Sequence, residues 1–146
     1  MRVLASVFAI LLTACAAQHT TQNTPGTTAY RHVPPSEFVN TVPVAATSTE
    51  AATIIAKRDA GSFGAALRSI FMINGRPIAR LRNGEYLTMQ VPPGRYNFGV
   101  EWSSPSQLVP TPKTNQTSME CEPGKSYTLR IYPVYQKGMF IQAVTE

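Results

Sequence analysis

The sequence predicts an all-β protein: a single small antiparallel β-sandwich, or an open barrel, behind an N-terminal targeting segment and a flexible tether. Three observations lead there. Four pairs, Asn74-Gly75, Asn83-Gly84, Pro93-Gly94 and Pro123-Gly124, punctuate the second half of the chain, and each supplies backbone angles that tight turns require. Between them run short segments that alternate with period two, most clearly Tyr96, Phe98, Val100 and Trp102 on one face. Finally, the composition shifts near residue 51 from Thr, Ala and Pro to Ile, Val and aromatics. About 95 residues remain, enough for one small core.

The elements follow in order. Met1-Arg2 precedes the apolar run Val3 to Leu12, which has the form of a secretory signal and is shorter than the roughly 20 residues that span a bilayer. Leu12-Thr13-Ala14-Cys15 resembles the lipobox of bacterial lipoproteins. The resemblance implies a diacylglycerol thioether on Cys15, cleavage before it and acylation of the new terminus. Two or three acyl chains make a stable anchor at about 0.8 kcal/mol per buried methylene. The alternative is an ordinary signal cleaved near Ala16 or Ala17, and it fits position, charge and spacing less well. Ala16 after the cysteine, rather than Asp, implies an outer-membrane location, expected on the periplasmic face. The expected boundaries are 1-14 signal peptide, 15-50 lipidated cysteine and disordered tether, and 51-146 β-sandwich.

Residues 16 to about 50 are rich in Thr, Ala, Pro, Asn and Gln and show no period, the composition of a linker. A flexible chain of that length spans roughly 30–35 Å. Tyr30-Arg31-His32-Val33 and Glu37-Phe38-Val39 are less bland; docking on the domain or binding a partner is the minority reading for both.

Past residue 51, Thr53 to Lys57 is a candidate first strand, and Ser62 to Ala66 a loop or short helical turn. Ser69 to Ile73 is a strand running into the hairpin signal Asn74-Gly75. Pro77 to Leu81 begins with a proline, which suits a strand start or edge. Glu85 to Val91 places Leu87, Met89 and Val91 on one face. Arg95 to Trp102 follows the Pro93-Gly94 turn, and residues 103–116, with three prolines, read as a long loop. Ser126 to Tyr132 turns Tyr127, Leu129 and Ile131 inward, and Phe140 to Val144 closes the chain.

The stretch "FMINGRPIARLRNGEYLTMQVPPGRYNFGVEW", with the later "GKSYTLR", resembles a bacterial family of short lipoproteins catalogued as a domain of unknown function. A more distant likeness is to PEGA-type and transthyretin-like surface sandwiches. The resemblance implies an envelope location and a compact antiparallel fold, with Arg58 in the place where the family's first strand tends to end on arginine. It carries no catalytic residues to transfer.

The chain's formal charge is +5, and Arg2 is the only charge before Cys15, so removing the leader leaves one less, +4. That balance suits plain solubility more than attraction to anionic headgroups. Of two cysteines, Cys15 and Cys121, lipidation of the first leaves Cys121 alone, with burial as a small hydrophobe its expected state. Both histidines, His19 and His32, fall in the tether, so the domain lacks the commonest general base and metal ligand. Glu120 and Glu122 could pair but read as a solvated strand end. Phosphate loops, metal-ligand spacings and cofactor motifs are absent from the sequence, and nothing in it points to nucleic acid. The expectation is no enzyme, no catalytic residue and no metal.

Two surface features remain as binding candidates. Arg76, Arg80 and Arg82 share one parity, with Arg68 and Arg95 nearby; they suit an acidic partner or lipid phosphate, or simply an edge charged against aggregation. Ile78 shares that parity and argues against a regular register. Tyr132 and Tyr135, with Met139, offer aromatic contact area for glycan or protein, or pack in the core. The function expected is that of an outer-membrane-anchored lipoprotein serving as a binding or structural module of an envelope or secretion assembly, with a protein partner. A small-ligand or glycan binder, for peptidoglycan or lipopolysaccharide, is the alternative.

Overall fold

Alternation along each strand decides which side chains face one another. The computed structural model describes residues 29–41, 50–103, 114–135 and 137–144. In chain order these form β1 (Arg31–His32), a 3-10 turn (Pro35–Glu37), β2 (Ala52–Arg58), β3 (Arg68–Ile73), β4 (Arg76–Leu81), β5 (Glu85–Val91), β6 (Gly94–Ser103), β7 (Asn115–Cys121), β8 (Ser126–Val134) and β9 (Gly138–Val144). One sheet has the order β1-β5-β2-β8-β9, the other β4-β3-β6-β7. They pack face to face as a sandwich, and neither closes into a barrel.

The core lies between them. Ile54, Ala56, Leu87, Val91, Leu129 and Ile131 come from the first sheet, and Phe71, Ile73, Phe98, Val100 and Leu81 from the second. Phe71 and Phe98 stack with centroids 6.1 Å apart. Each of these side chains except Ala56 stabilises the fold by about 1.5–3 kcal/mol through burial. Cys121 and Met139 are buried among them.

Five of the seven strand pairs are antiparallel. β1 with β5 and β2 with β8 are parallel, so the antiparallel expectation holds for most of the fold but not for these. β2 and β8 are joined through the whole second sheet, and that long crossover is what a parallel pair requires.

Turns behave as their residues dictate. Asn74 (φ 51°) and Gly75 (φ 76°) both take positive angles, the conformation of a twist-matched hairpin turn. Asn83 instead turns its side chain sideways: Nδ2 donates to Gly61 O and Oδ1 accepts from Gly61 N, both at 3.0 Å. That pair of bonds ties the β2–β3 connection to the β4–β5 turn.

Three expectations need correction. The reading of 15-50 as a disordered tether fails for 29–41. There Arg31 N donates to Gly84 O and Val33 N to Tyr86 O, and Val39 N reaches Ile78 O. Val33 is fully buried. The segment crosses from the β5 edge of one sheet to the β4 edge of the other, so it forms a strap. Secondly, the stretch 103–116, expected as a loop, is strand at both ends, because Ser103 ends β6 and Asn115 begins β7; residues 104–113 lie outside the described residues. Thirdly, Ile78 is the extra residue of a β-bulge: Phe71 pairs with Ala79 but Met72 with Pro77. The bulge turns Ile78 inward beside Ala79 and resolves the parity conflict. The signal peptide, Cys15 and His19 lie outside the described residues.

Candidate functional site

Arg58 sits on the inward parity of β2 after Ala52, Ile54 and Ala56, so the chain aims a guanidinium between the sheets. It is fully buried. Its Nη1 donates to Leu67 O (2.6 Å) and Leu81 O (2.8 Å), and its Nη2 to Gly64 O (2.8 Å). Burial lowers its pKa to about 10, with Glu85 acting in the opposite sense. The group therefore stays charged at neutral pH, and the three carbonyls offset its desolvation. The result fixes the 59–67 loop. Gly64, at φ +70°, brings that loop against Trp102, where an added Cβ would lie 2.6 Å from the indole. The sequence carried a signal for this, since Arg58 shares the parity of the buried residues before it.

The arginine set does not act as one patch. Arg82 Nη2 pairs with Glu37 Oε1 at 3.0 Å, and Arg68 Nη1 with Glu37 Oε2 at 3.2 Å. Glu37 belongs to the strap and is nearly buried. Two of the expected edge cations thus dock the chain's own N-terminal segment. Arg76 and Arg80 lie on either side of the bulge, opposite Ile73 and Ile70 respectively, and make no ion pair among the described residues, while Arg95 lies opposite Glu120 on β7.

The tyrosines separate as well. Tyr132 lies on the outer face of the first sheet, stacked on Phe140 at 6.0 Å and under the Arg130 guanidinium at 5.2 Å. Arg130 grips Asp59 through Nε and Nη2 at 2.6–3.0 Å. Lys57 stands over the Tyr30 ring on the same face. Tyr135 is 70% exposed and meets Phe63, 46% exposed, edge to face at 5.5 Å. Met139, grouped with these by sequence, is a core residue. Phe63 was not legible as a surface aromatic, because its loop has no period.

The remaining chemistry is sparse among the described residues. Cys121 is 1% exposed, and burial, with Glu120 adding to it, raises its thiol to about 11. It is a packed thiol, not an activated one. Glu122 binds Lys125 at 2.6 Å rather than Glu120. His32 corrects the expectation of a histidine-free domain: it lies on β1, edge-on to Tyr86 at 5.1 Å, with Nδ1 against Val33 O at 2.9 Å. No three His, Cys, Asp or Glu side chains of the described residues converge as metal ligands.

These features define the class of molecule: a two-sheet β-sandwich, its edges on one side strapped by its own N-terminal segment. Compared with models of known protein families and with curated protein sequences, the chain matches none.

Proposed function

We propose that the protein is an outer-membrane-anchored, periplasm-facing lipoprotein whose sandwich is a non-catalytic binding or structural module of an envelope or secretion assembly. The observation that carries this reading is the unequal treatment of the four sheet edges. The strap covers β4 and β5, whereas β7 and β9 have a strand partner on one side only among the described residues. On β6, Asn97 turns its N–H and C=O toward Asn74. Its cross-strand neighbour Ser118 therefore turns its own backbone groups away from β6. An extended segment of a partner finds there a row of donors and acceptors with no strand partner among the described residues. The leader Met1 to Leu12, the Leu12 to Cys15 sequence and the likeness of the turn motifs to short envelope lipoproteins support the anchored placement.

The test is a photocrosslinking residue placed in cells at Gln116 on β7 and, as a control, at Pro35 in the strap. One dominant protein adduct from β7, lost in Ser118→Pro, is expected, with none from the strap. Adducts with lipid or glycan alone, or none that repeat, overturn it. A second reading has its own observation. The outer row of Tyr132, Phe140, Arg130 and Lys57 combines ring faces with cations, as binding of an acidic glycan requires. Titration with peptidoglycan fragments and lipopolysaccharide tests it, and unmoved resonances in that row reject it.

A further inference from the structure

One end of the sandwich collects features that no other part of it shares. The strap enters there, where Arg31 N bonds Gly84 O. β2 and β8 both end there, being parallel, and β6 ends there at Ser103, opposite Arg68. The 59–67 loop and the β8–β9 turn therefore project from the same end as the chain that leads back to Cys15. Four large apolar side chains are exposed among the described residues: Val39, Phe63, Tyr135 and Val144. Phe63 and Tyr135 are in contact at this end, beside the exposed Ala65 and Ala66.

The aromatic pair is held out by construction. Arg58 fixes the carbonyls of Gly64 and Leu67, Asn83 clamps Gly61, and Trp102 fills the space beneath Gly64. Exposed Arg31 and Lys137 flank it, and neither makes an ion pair among the described residues. A rigid apolar tip with aromatic rings and free cations at its rim fits the headgroup layer of an anionic bilayer.

The chain outside the structure supplies the geometry. With the strap docked, the stretch between Cys15 and Ala29 is what joins the sandwich to Cys15. That stretch is at most about 50 Å long in any conformation. We infer that this end of the sandwich seats in the headgroup layer of the membrane holding Cys15, with Phe63 and Tyr135 at the acyl boundary. This rests on the lipoprotein reading above. Two aromatic side chains make a weak contact alone, but a short tether holds the tip near the surface at an effective concentration in the millimolar range.

The test uses full-length protein purified from membranes and reconstituted in phosphatidylethanolamine–phosphatidylglycerol vesicles. Tyr135→Trp reports on the seated end. Val144→Trp reports on the opposite end, about 20 Å away along β9. Both positions are exposed, so both variants should fold, and native Trp102 is the common background. On reconstitution, iodide quenching of the tryptophan at 135 is expected to fall by about twofold or more, with a blue shift, while that at 144 stays open. The mass of the N-terminal peptide reads the anchor separately. A lipidated Cys15 with both reporters open, or both shielded alike, overturns the seating alone. An unlipidated Cys15 overturns the anchor and the seating with it.

Discussion

At the scale of single residues, the least replaceable side chain is Arg58. Three backbone carbonyls, two from the 59–67 loop and one from the end of β4, depend on one planar cation. Lysine keeps the charge but has one nitrogen on a flexible stem, so it cannot satisfy three separated acceptors. Each orphaned buried acceptor costs about 1–3 kcal/mol. Arg58→Lys is therefore expected to lower unfolding free energy by roughly 2–5 kcal/mol, measured by urea denaturation; a loss below about 1 kcal/mol refutes the strut. Gly64→Ala should act on the same loop by steric conflict with Trp102 and the positive φ, and indole fluorescence reads it directly. Cys121 makes a prediction of opposite character. Its thiol holds its proton up to about 11 in the fold against the ordinary 9.0, so above that ordinary value only the unfolded chain ionises. Stability from this group is complete below about pH 9 and falls toward 11, by about 2–3 kcal/mol in all. Arg58 acts in the reverse sense above about 10, because its folded pKa is depressed. The clean readout is the slope of stability against pH for wild type minus Cys121→Ala between about 8.5 and 10. An unchanged slope means that Cys121 is not buried as a neutral thiol.

At the scale of elements, the strap decides whether the sandwich has two open edges or four. Val33 is its apolar anchor and Glu37 its polar one. Val33→Ala should cost about 2 kcal/mol from lost burial and the cavity left behind. Glu37→Gln should cost only about 1 kcal/mol, since Arg68 and Arg82 remain half exposed and return to water. Val33→Asp goes further, because it releases the strap and bares β4 and β5. Concentration-dependent self-association in size-exclusion chromatography is then expected, and a strictly monomeric variant argues against an edge-covering role. The strap was hard to read from the sequence for a physical reason. Its pairing is two residues long, its neighbours are Pro and Thr, and its stabilising contacts lie with β4 and β5, far along the chain. Strand β7 was missed for another reason: Asn115 and Thr117 occupy inward positions, so its alternation is polar against polar until Met119 and Cys121. By contrast, the bounds of β3 to β6 were legible to within a residue, because Gly- and Asn-containing turns separate them and β5 and β6 alternate; the bulge in β4 was not. Among the site residues, the sequence left Tyr135 open between surface contact and core packing, and it is exposed. Its partner Phe63 and the tie between Glu37 and Arg82 were not legible, because both depend on contacts between segments that no local pattern links.

At the scale of the whole molecule, the two sheets share one core and neither can stand alone. β2 lies at the start of the sandwich and β8 near its end, yet they are hydrogen-bonded neighbours at the centre of the first sheet. The entire second sheet is strung between them. Forming that parallel pair closes a loop over most of the domain, and the entropy of closure is recovered only when Phe71 and Phe98 meet Leu129 and Ile131. Folding in the millisecond-to-second range is expected for so non-local a topology. The same argument requires cooperativity. Trp102, on the second sheet, reports its end of that sheet by fluorescence, while far-UV circular dichroism reports strands of both. If the layers depend on each other, the two signals should give coincident urea transitions with one midpoint and one slope. Truncation after Val134 sharpens the test, because it removes β9, which supplies buried Met139 and Ile141 and covers the edge of β8. The truncated chain should lose both signals together, since each side chain removed from the shared core takes about 2–5 kcal/mol from a total of about 5–10. Retention of a native indole signal after the first sheet has melted would show two independent layers instead of one fold.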